Sequence, residues 1–155
     1  MALLKLLKKP NPRLKVPSKP VNIFDRNLKK SINDIIETIY HEHGVGVGSI
    51  QVGIAKQIIV VDLGDNDDII REEGFYPLVL INPKIIYYSE EKLEAPEGCL
   101  SVPGILVSII RSKHIVVKYQ DIESIHKTIE ASGWLARVIQ HEFDHLCGRC
   151  CLGLD

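Results

Sequence analysis

Trp134-Leu135-Ala136-Arg137-Val138-Ile139-Gln140-His141-Glu142-Phe143-Asp144-His145-Leu146 decides how this chain reads. Trp134, Leu135, Val138, Ile139 and Leu146 recur at helical intervals, with Ser132-Gly133 before them and Gly148 after. The spacing predicts a helix with one apolar face. Inside it, residues 141–145 form an H-E-x-x-H sequence. Positions i and i+4 share a helix face, so two imidazoles can reach one metal ion while Glu142 stands beside its open coordination position. A metal held there would lower the pKa of bound water toward about 7, and Glu142 would take the proton and pass it to a leaving group.

Working outward, short β-branched runs at 105–111, 114–120 and 127–131 with hairpin-length gaps predict an antiparallel meander. Residues 54–62 and 76–82 predict two further strands, separated by a polar surface loop at 64–74. Asp25 is a candidate N-cap for a helix whose buried face carries Leu28, Ile32, Ile35, Ile36, Ile39 and Tyr40, with Gly44 as its C-cap glycine. Pro10, Pro12, Pro17 and Pro20 keep the first twenty residues extended or turning. The expected fold is α+β: antiparallel strands wrapped around a C-terminal metal-binding helix, with the earlier helix packed outside, all in one domain over 1–155.

The chain has 155 residues, is 45% hydrophobic and 25% charged, and carries a formal charge of −1. That balance gives no support for direct nucleic-acid binding, and no apolar run approaches the roughly 20 residues that cross a bilayer. Lys5 interrupts the apolar start and no cleavage site follows, so a cytoplasmic protein is expected. In that reducing compartment Cys99, Cys147, Cys150 and Cys151 read as thiols or metal ligands.

A catalytic metal site needs a third protein ligand and an open position. Cys99, in the small-residue turn Glu97-Gly98-Cys99-Leu100-Ser101, is the best candidate. Two alternatives stay open on the residues alone. Cys147 and Cys150 form a C-x-x-C pair behind His141 and His145, and four such ligands would close a structural zinc module. A zinc-dependent peptidase shares H-E-x-x-H, although its usual third ligand is His or Glu rather than Cys.

Three separated segments resemble the three signature motifs of the peptide deformylase family: Gly44-Val45-Gly46-Val47-Gly48-Ser49-Ile50-Gln51, Glu97 to Ser101, and Gln140 to Gly148. The resemblance implies a hydrolase that removes the formyl group from N-terminal formylmethionine of nascent polypeptides. It implies Cys99, His141 and His145 as ligands of one divalent ion, Fe(II) by preference, with Zn(II), Ni(II) or Co(II) as options. It makes Glu142 the general acid/base, with the Gln51 side chain and the Leu100 N–H as donors to the oxyanion. It further implies that Val45, Gly46 and Gly98 run alongside the peptide, with Gly46 pairing as for an added strand, and that Trp134 and Val138 contribute to a methionine pocket. Arg111 would be the ion-pair partner of Glu97 and Asp144. Formylmethionyl peptides and nascent chains are the implied partners, with ribosome association raised and a monomer expected. Three features depart from the family pattern: Gly48-Ser49 stand where two alanines are usual, placing a hydroxyl beside the Gln51 donor; the C-x-x-C pair is extra; and the chain ends without the usual last helix.

Overall fold

The computed structural model describes residues 2–149. Asp25 caps the first helix, α1 (Arg26–His41), its Oδ1 accepting the Leu28 N–H at 3.0 Å, an interaction worth about 1 kcal/mol. The helix ends differently from the expectation. Its left-handed terminal position is taken by His43 (φ 57°), and Gly44 follows, closing the turn with its N–H on the Ile39 carbonyl. Gly44 serves packing instead: a Cβ there would lie 2.7 Å from Leu100 Cδ1.

Seven strands follow: β1 (Gly46–Gly48), β2 (Ile58–Val61), β3 (Leu78–Tyr88), β4 (Lys92–Cys99), β5 (Val102–Ser112), β6 (His114–Gln120) and β7 (His126–Ser132). The second helix, α2 (Gly133–Leu146), comes last. The antiparallel main sheet has the order β1-β2-β3-β6-β7, while β4 and β5 form a separate hairpin. The meander expected from β5 through β7 is therefore broken. The chain pairs β5 back on β4, and β6 pairs with β3 from earlier in the sequence.

Strand β2 is buried along its whole length because each face has a helix over it. Ile59 and Val61 join Leu80, Ile115, Val117, Leu135, Ala136 and Ile139 under α2. Ile58 and Val60 join Leu28, Ile32, Ile35 and Ile39 under α1. The period-two alternation of a strand thus supplies both cores, which is why this run is continuously apolar rather than amphipathic. Helix α2 lies between the main sheet and the β4–β5 hairpin, and α1 lies on the far side of the sheet.

The 64–74 loop is pinned by Asp67, which accepts from Arg71 Nε at 2.8 Å and Tyr76 Oη at 2.6 Å. Burial opposes ionisation of Asp67, but the hydrogen bonds from Arg71, Tyr76 and the Ile69 N–H prevail and hold its carboxyl at about 2. The unfolded chain, with an aspartate near 3.8, binds more protons between these values. Asp67 therefore stabilises the fold fully above about pH 4, and that contribution fades as pH falls through 2. Asp67→Asn should cost on the order of 1 kcal/mol at neutral pH. In denaturant titrations its gap from the parent should narrow as the medium is acidified from about pH 5 to 2; a constant gap would contradict the assignment.

Candidate metal centre

Helix periodicity places Arg137, His141 and His145 in line, four residues apart, on the face of α2 toward the hairpin. Cys99 reaches the same point from the end of β4, where a register shift between Glu97 and Cys99 bends the strand. The ligand atoms of Cys99, His141 and His145 all lie within 4.8 Å of one another, and Cys99 Sγ is 3.4 Å from His145 Nε2. A tetrahedral ion with bonds of about 2.1 Å to nitrogen and 2.3 Å to sulfur separates its ligand atoms by roughly 3.4–3.7 Å. The donor set fits such an ion.

Hydrogen bonds fix the orientation of the first histidine. His141 Nδ1 is 2.9 Å from Glu97 Oε1. With a carboxylate as acceptor this nitrogen carries the proton and Nε2 faces the site. Burial opposes a charge on His141, yet Glu142, Cys99 and Glu97 outweigh it and lift the imidazole to about 10. The field of the site therefore favours a cation. Burial would raise Glu97, but His141 and Arg111 hold it down at about 2. Glu142 is buried, and burial pushes its carboxyl upward against the pull of His141 and His145. Its Oε1 lies 3.8 Å from His145 Nε2 and has no hydrogen-bond partner among the described residues. A buried carboxylate oxygen without a partner is rare in structural positions and suits a proton carrier.

Cys99, His141 and Glu142 line a pocket of about 790 Å³ that includes Val45, Gly46, Gln51, Gly98, Leu100, Trp134 and Val138 among its walls. Trp134 is partly exposed and Val138 half-buried, so neither is plain core. Gly46 is at the free edge of the main sheet, where a Cβ would fall 2.9 Å from Val138 Cγ1 and 3.0 Å from Glu142 Oε2. Gln51 is fixed at both ends of its amide: Oε1 accepts the Gly48 N–H at 2.9 Å, and Nε2 donates to Ser101 Oγ at 3.1 Å and toward Cys99 Sγ at 3.6 Å. Leu100 occupies the tight turn between β4 and β5, and its N–H has no acceptor among the described residues. The Ser49 hydroxyl, expected beside Gln51, is instead buried and donates to the Lys56 carbonyl. Gly48 lets β1 approach α2, a Cβ there lying 3.1 Å from His145 Cβ.

Arg111 donates to Glu97 through Nε and Nη2 and to Asp144 through Nη1, at 2.8–2.9 Å. The sequence reading passed over Arg137. Its Nη1 donates to Glu97 Oε2 and to the Ile109 carbonyl, and its Nη2 to the Leu93 carbonyl. Its position four residues before His141 was the available signal. Gln140 was also passed over: its amide pairs with both the N–H and C=O of Ser112, as a strand would.

Cys147 is exposed at the end of α2, and the histidines gather with Cys99 instead. Cys150, required by the structural zinc alternative, lies outside the described residues.

A cysteine sulfur, two imidazoles and a buried carboxyl gathered beside an open pocket are a set of groups that suits a metal-dependent hydrolase. Comparison with known proteins narrows the class. A family model described as polypeptide deformylase matches residues 3–153. Peptide deformylase of Rickettsia akari (strain Hartford) is 42% identical over 149 residues, covering 96% of this chain and 85% of the relative. The crystal structure of peptide deformylase from Thermotoga maritima superposes with a TM-score of 0.87 at 43% identity, covering 96% of this chain and 94% of that one. That of Ehrlichia chaffeensis in complex with actinonin gives 0.91 at 38% identity, covering 100% and 90%. The chain belongs to the polypeptide deformylase family, whose enzymes are metal-dependent and deformylate nascent peptides.

Titration of the protein with Co(II) should saturate at one ion per chain with a thiolate-to-cobalt charge-transfer band. Cys99→Ala should abolish that band and weaken binding by at least about tenfold. An undiminished band in the variant would remove Cys99 from the donor set.

Proposed function

We propose that Cys99, His141 and His145 hold one divalent ion and that Glu142, Gln51 and Leu100 carry out the deformylation of formylmethionyl chains around it. The observation that carries this reading is the Glu142 Oε1, without a hydrogen bond among the described residues and buried beside three converging ligand atoms. Bound there, the ion supplies Lewis acidity that makes water a nucleophile near neutral pH. Glu142 takes the proton released by water, and its burial-raised affinity keeps that proton until the leaving amine accepts it. Gln51 Nε2 and the Leu100 N–H are the donors for the charge that develops on the formyl oxygen. Gln51 needs no reorientation during the reaction because Gly48 and Ser101 already fix its amide.

The peptide lies along the free edge of β1, with Gly46 pairing to its main chain and Val45 and Gly98 on either side. Trp134 and Val138 receive the methionine side chain. The buried pairing of Glu97 with Arg111, and of Arg111 with Asp144, supports the site from behind. Fe(II) is the proposed ion. The Cys/His₂ set accepts Zn(II), Ni(II) or Co(II) as well, but the family resemblance favours iron, whose thiolate ligand makes activity oxygen-sensitive. We assign the protein to the cytoplasm as a monomer acting on chains at the ribosome; among the described residues no helix is long and apolar enough to cross a membrane.

Protein reconstituted with Fe(II) under argon should release formate from a formyl-Met peptide. Glu142→Ala should retain the ion and lose about 10³-fold in turnover. Metal retention with unchanged turnover would exclude Glu142 as the proton carrier, cleavage of internal peptide bonds would favour a peptidase, and equal rates for iron, nickel and zinc forms would contradict the preference for iron. Ser101→Ala should lower kcat about tenfold with metal content intact, since it releases an oxyanion donor without removing it. An unchanged kcat would show that Ser101 does not position Gln51.

A further inference from the structure

The formal charge of −1 conceals a segregation. Residues 1–20 hold six basic side chains and no acidic one, whereas residues 21–155 hold 13 basic and 20 acidic. The fold keeps the basic side chains together. Lys5, Lys8 and Arg13 line a surface cavity of about 580 Å³ in which Glu42 is the single acid. Arg13 Nη2 donates to the Gly53 carbonyl at 2.9 Å, which draws it to the segment carrying Lys56, and Lys56 bridges to Lys19. Lys15 shares the short 3-10 turn Pro12–Lys15 with Arg13. All six of these cations are exposed, and none pairs with a described carboxylate.

The opposite sign gathers elsewhere. Asp62, Asp65, Asp67, Asp68, Glu72 and Glu73 share one loop region with Arg71 alone among bases. The active-site pocket borders both regions, with Leu6 and Lys8 from the basic segment and Leu63 and Asn66 from the acidic loop among its lining residues. A polyanion is attracted by the basic segment and repelled by the acidic loop, so the charge pattern orients the protein as well as attracting it.

We propose that Lys5, Lys8, Arg13, Lys15, Lys19 and Lys56 form a strip that docks on the phosphate backbone of RNA and brings the pocket mouth close to that surface. Residues 1–20 contain no aromatic ring on which a base could stack, so recognition is of phosphates and independent of sequence. Of the apolar side chains interleaved with the cations, Leu6, Leu7 and Leu14 are buried in the protein, which leaves Leu3 and Val16 as the exposed ones, fewer than the cations around them. The choice of RNA over anionic lipid also rests on the reading above, in which the substrate is a nascent chain leaving an RNA-rich particle.

The test is binding of the metal-loaded protein to a short single-stranded RNA over a salt series, beside the set Lys5→Gln, Lys15→Gln, Lys19→Gln and Lys56→Gln. Six phosphate contacts give a log–log slope of about −4, a fall of a few hundredfold between about 50 and 200 mM salt. The four-site variant should flatten the slope by about 0.7 per residue, while both proteins deformylate a short formyl-Met peptide at the same rate. No RNA binding by the parent near 50 mM salt, or an unchanged slope in the variant, would overturn the strip. Tighter binding to vesicles of phosphatidylglycerol than to RNA would assign it to lipid. RNA binding without formate release would sink the proposed reaction and leave the strip standing. If the Gln set fails to fold, Lys→Arg at the same four positions decides, since it must keep the parent slope.

Discussion

Everything near the metal centre depends on the carboxylate of Glu97. Buried between β4 and α2, it accepts from Arg111 through two nitrogens, from Arg137 and from His141. An ionised carboxylate left bare in such a place would be costly by several kcal/mol; with four donors it becomes the joint between hairpin and helix. The same joint fixes the proton of His141 on Nδ1. Cys99 follows two residues along the same strand, so the contact that orients one ligand also positions another. Removing Glu97 would leave Arg111 and Arg137 as buried cations with carbonyls and Asp144 as their remaining acceptors.

Charge balance explains why the supporting layer can be rigid while the site stays receptive to a cation. Glu97 and Asp144 neutralise Arg111 and Arg137, so this group adds little net field. The remaining acidic groups, the Glu142 carboxyl and the Cys99 thiol, then stand beside the two imidazoles where a divalent ion is needed. The high proton affinity of His141 reports that field from the inside. On the pocket side Gly46 of β1 stands beside the Glu142 carboxyl, and any larger residue there would crowd Glu142 Oε2. A peptide backbone laid along β1 can therefore approach the Glu142 carboxyl at Gly46, where the edge bears no side chain.

The sequence showed some of this plainly and hid the rest for identifiable reasons. H-E-x-x-H was legible because helix periodicity alone puts His141 and His145 on one face, and α2 begins and ends within a residue of the expected span. Strand β6 was legible at both ends. Strand β4 escaped because Lys92, Glu94, Pro96 and Gly98 lack the composition of a strand; it is held by pairing with β5 and by Arg137 donating to the Leu93 carbonyl. The meander failed for a related reason: hairpin spacing is a local signal, whereas the pairing of β6 with β3 is settled by which apolar faces must meet under α2. Net charge hides the distribution of the cations, because a sum over the chain cannot show that six of its first twenty residues are basic and none acidic.

Those first residues also bear on the site from another direction. The N–H groups of Ala2 and Leu4 donate to the Asp34 and Thr38 side chains of α1, while those of Leu7 and Lys9 donate to the carbonyls of Gln51 and Ser101. One extended arm thus ties α1 to the two loops whose side chains meet in the Gln51–Ser101 hydrogen bond. Asp34 and Thr38 are buried polar residues on an otherwise apolar helix face, an arrangement that would be unfavourable without backbone donors to satisfy them. Their place on that face follows from the arm: α1 holds the arm, the arm holds both loops, and the amide of Gln51 is thereby kept in register with Cys99 and Ser101.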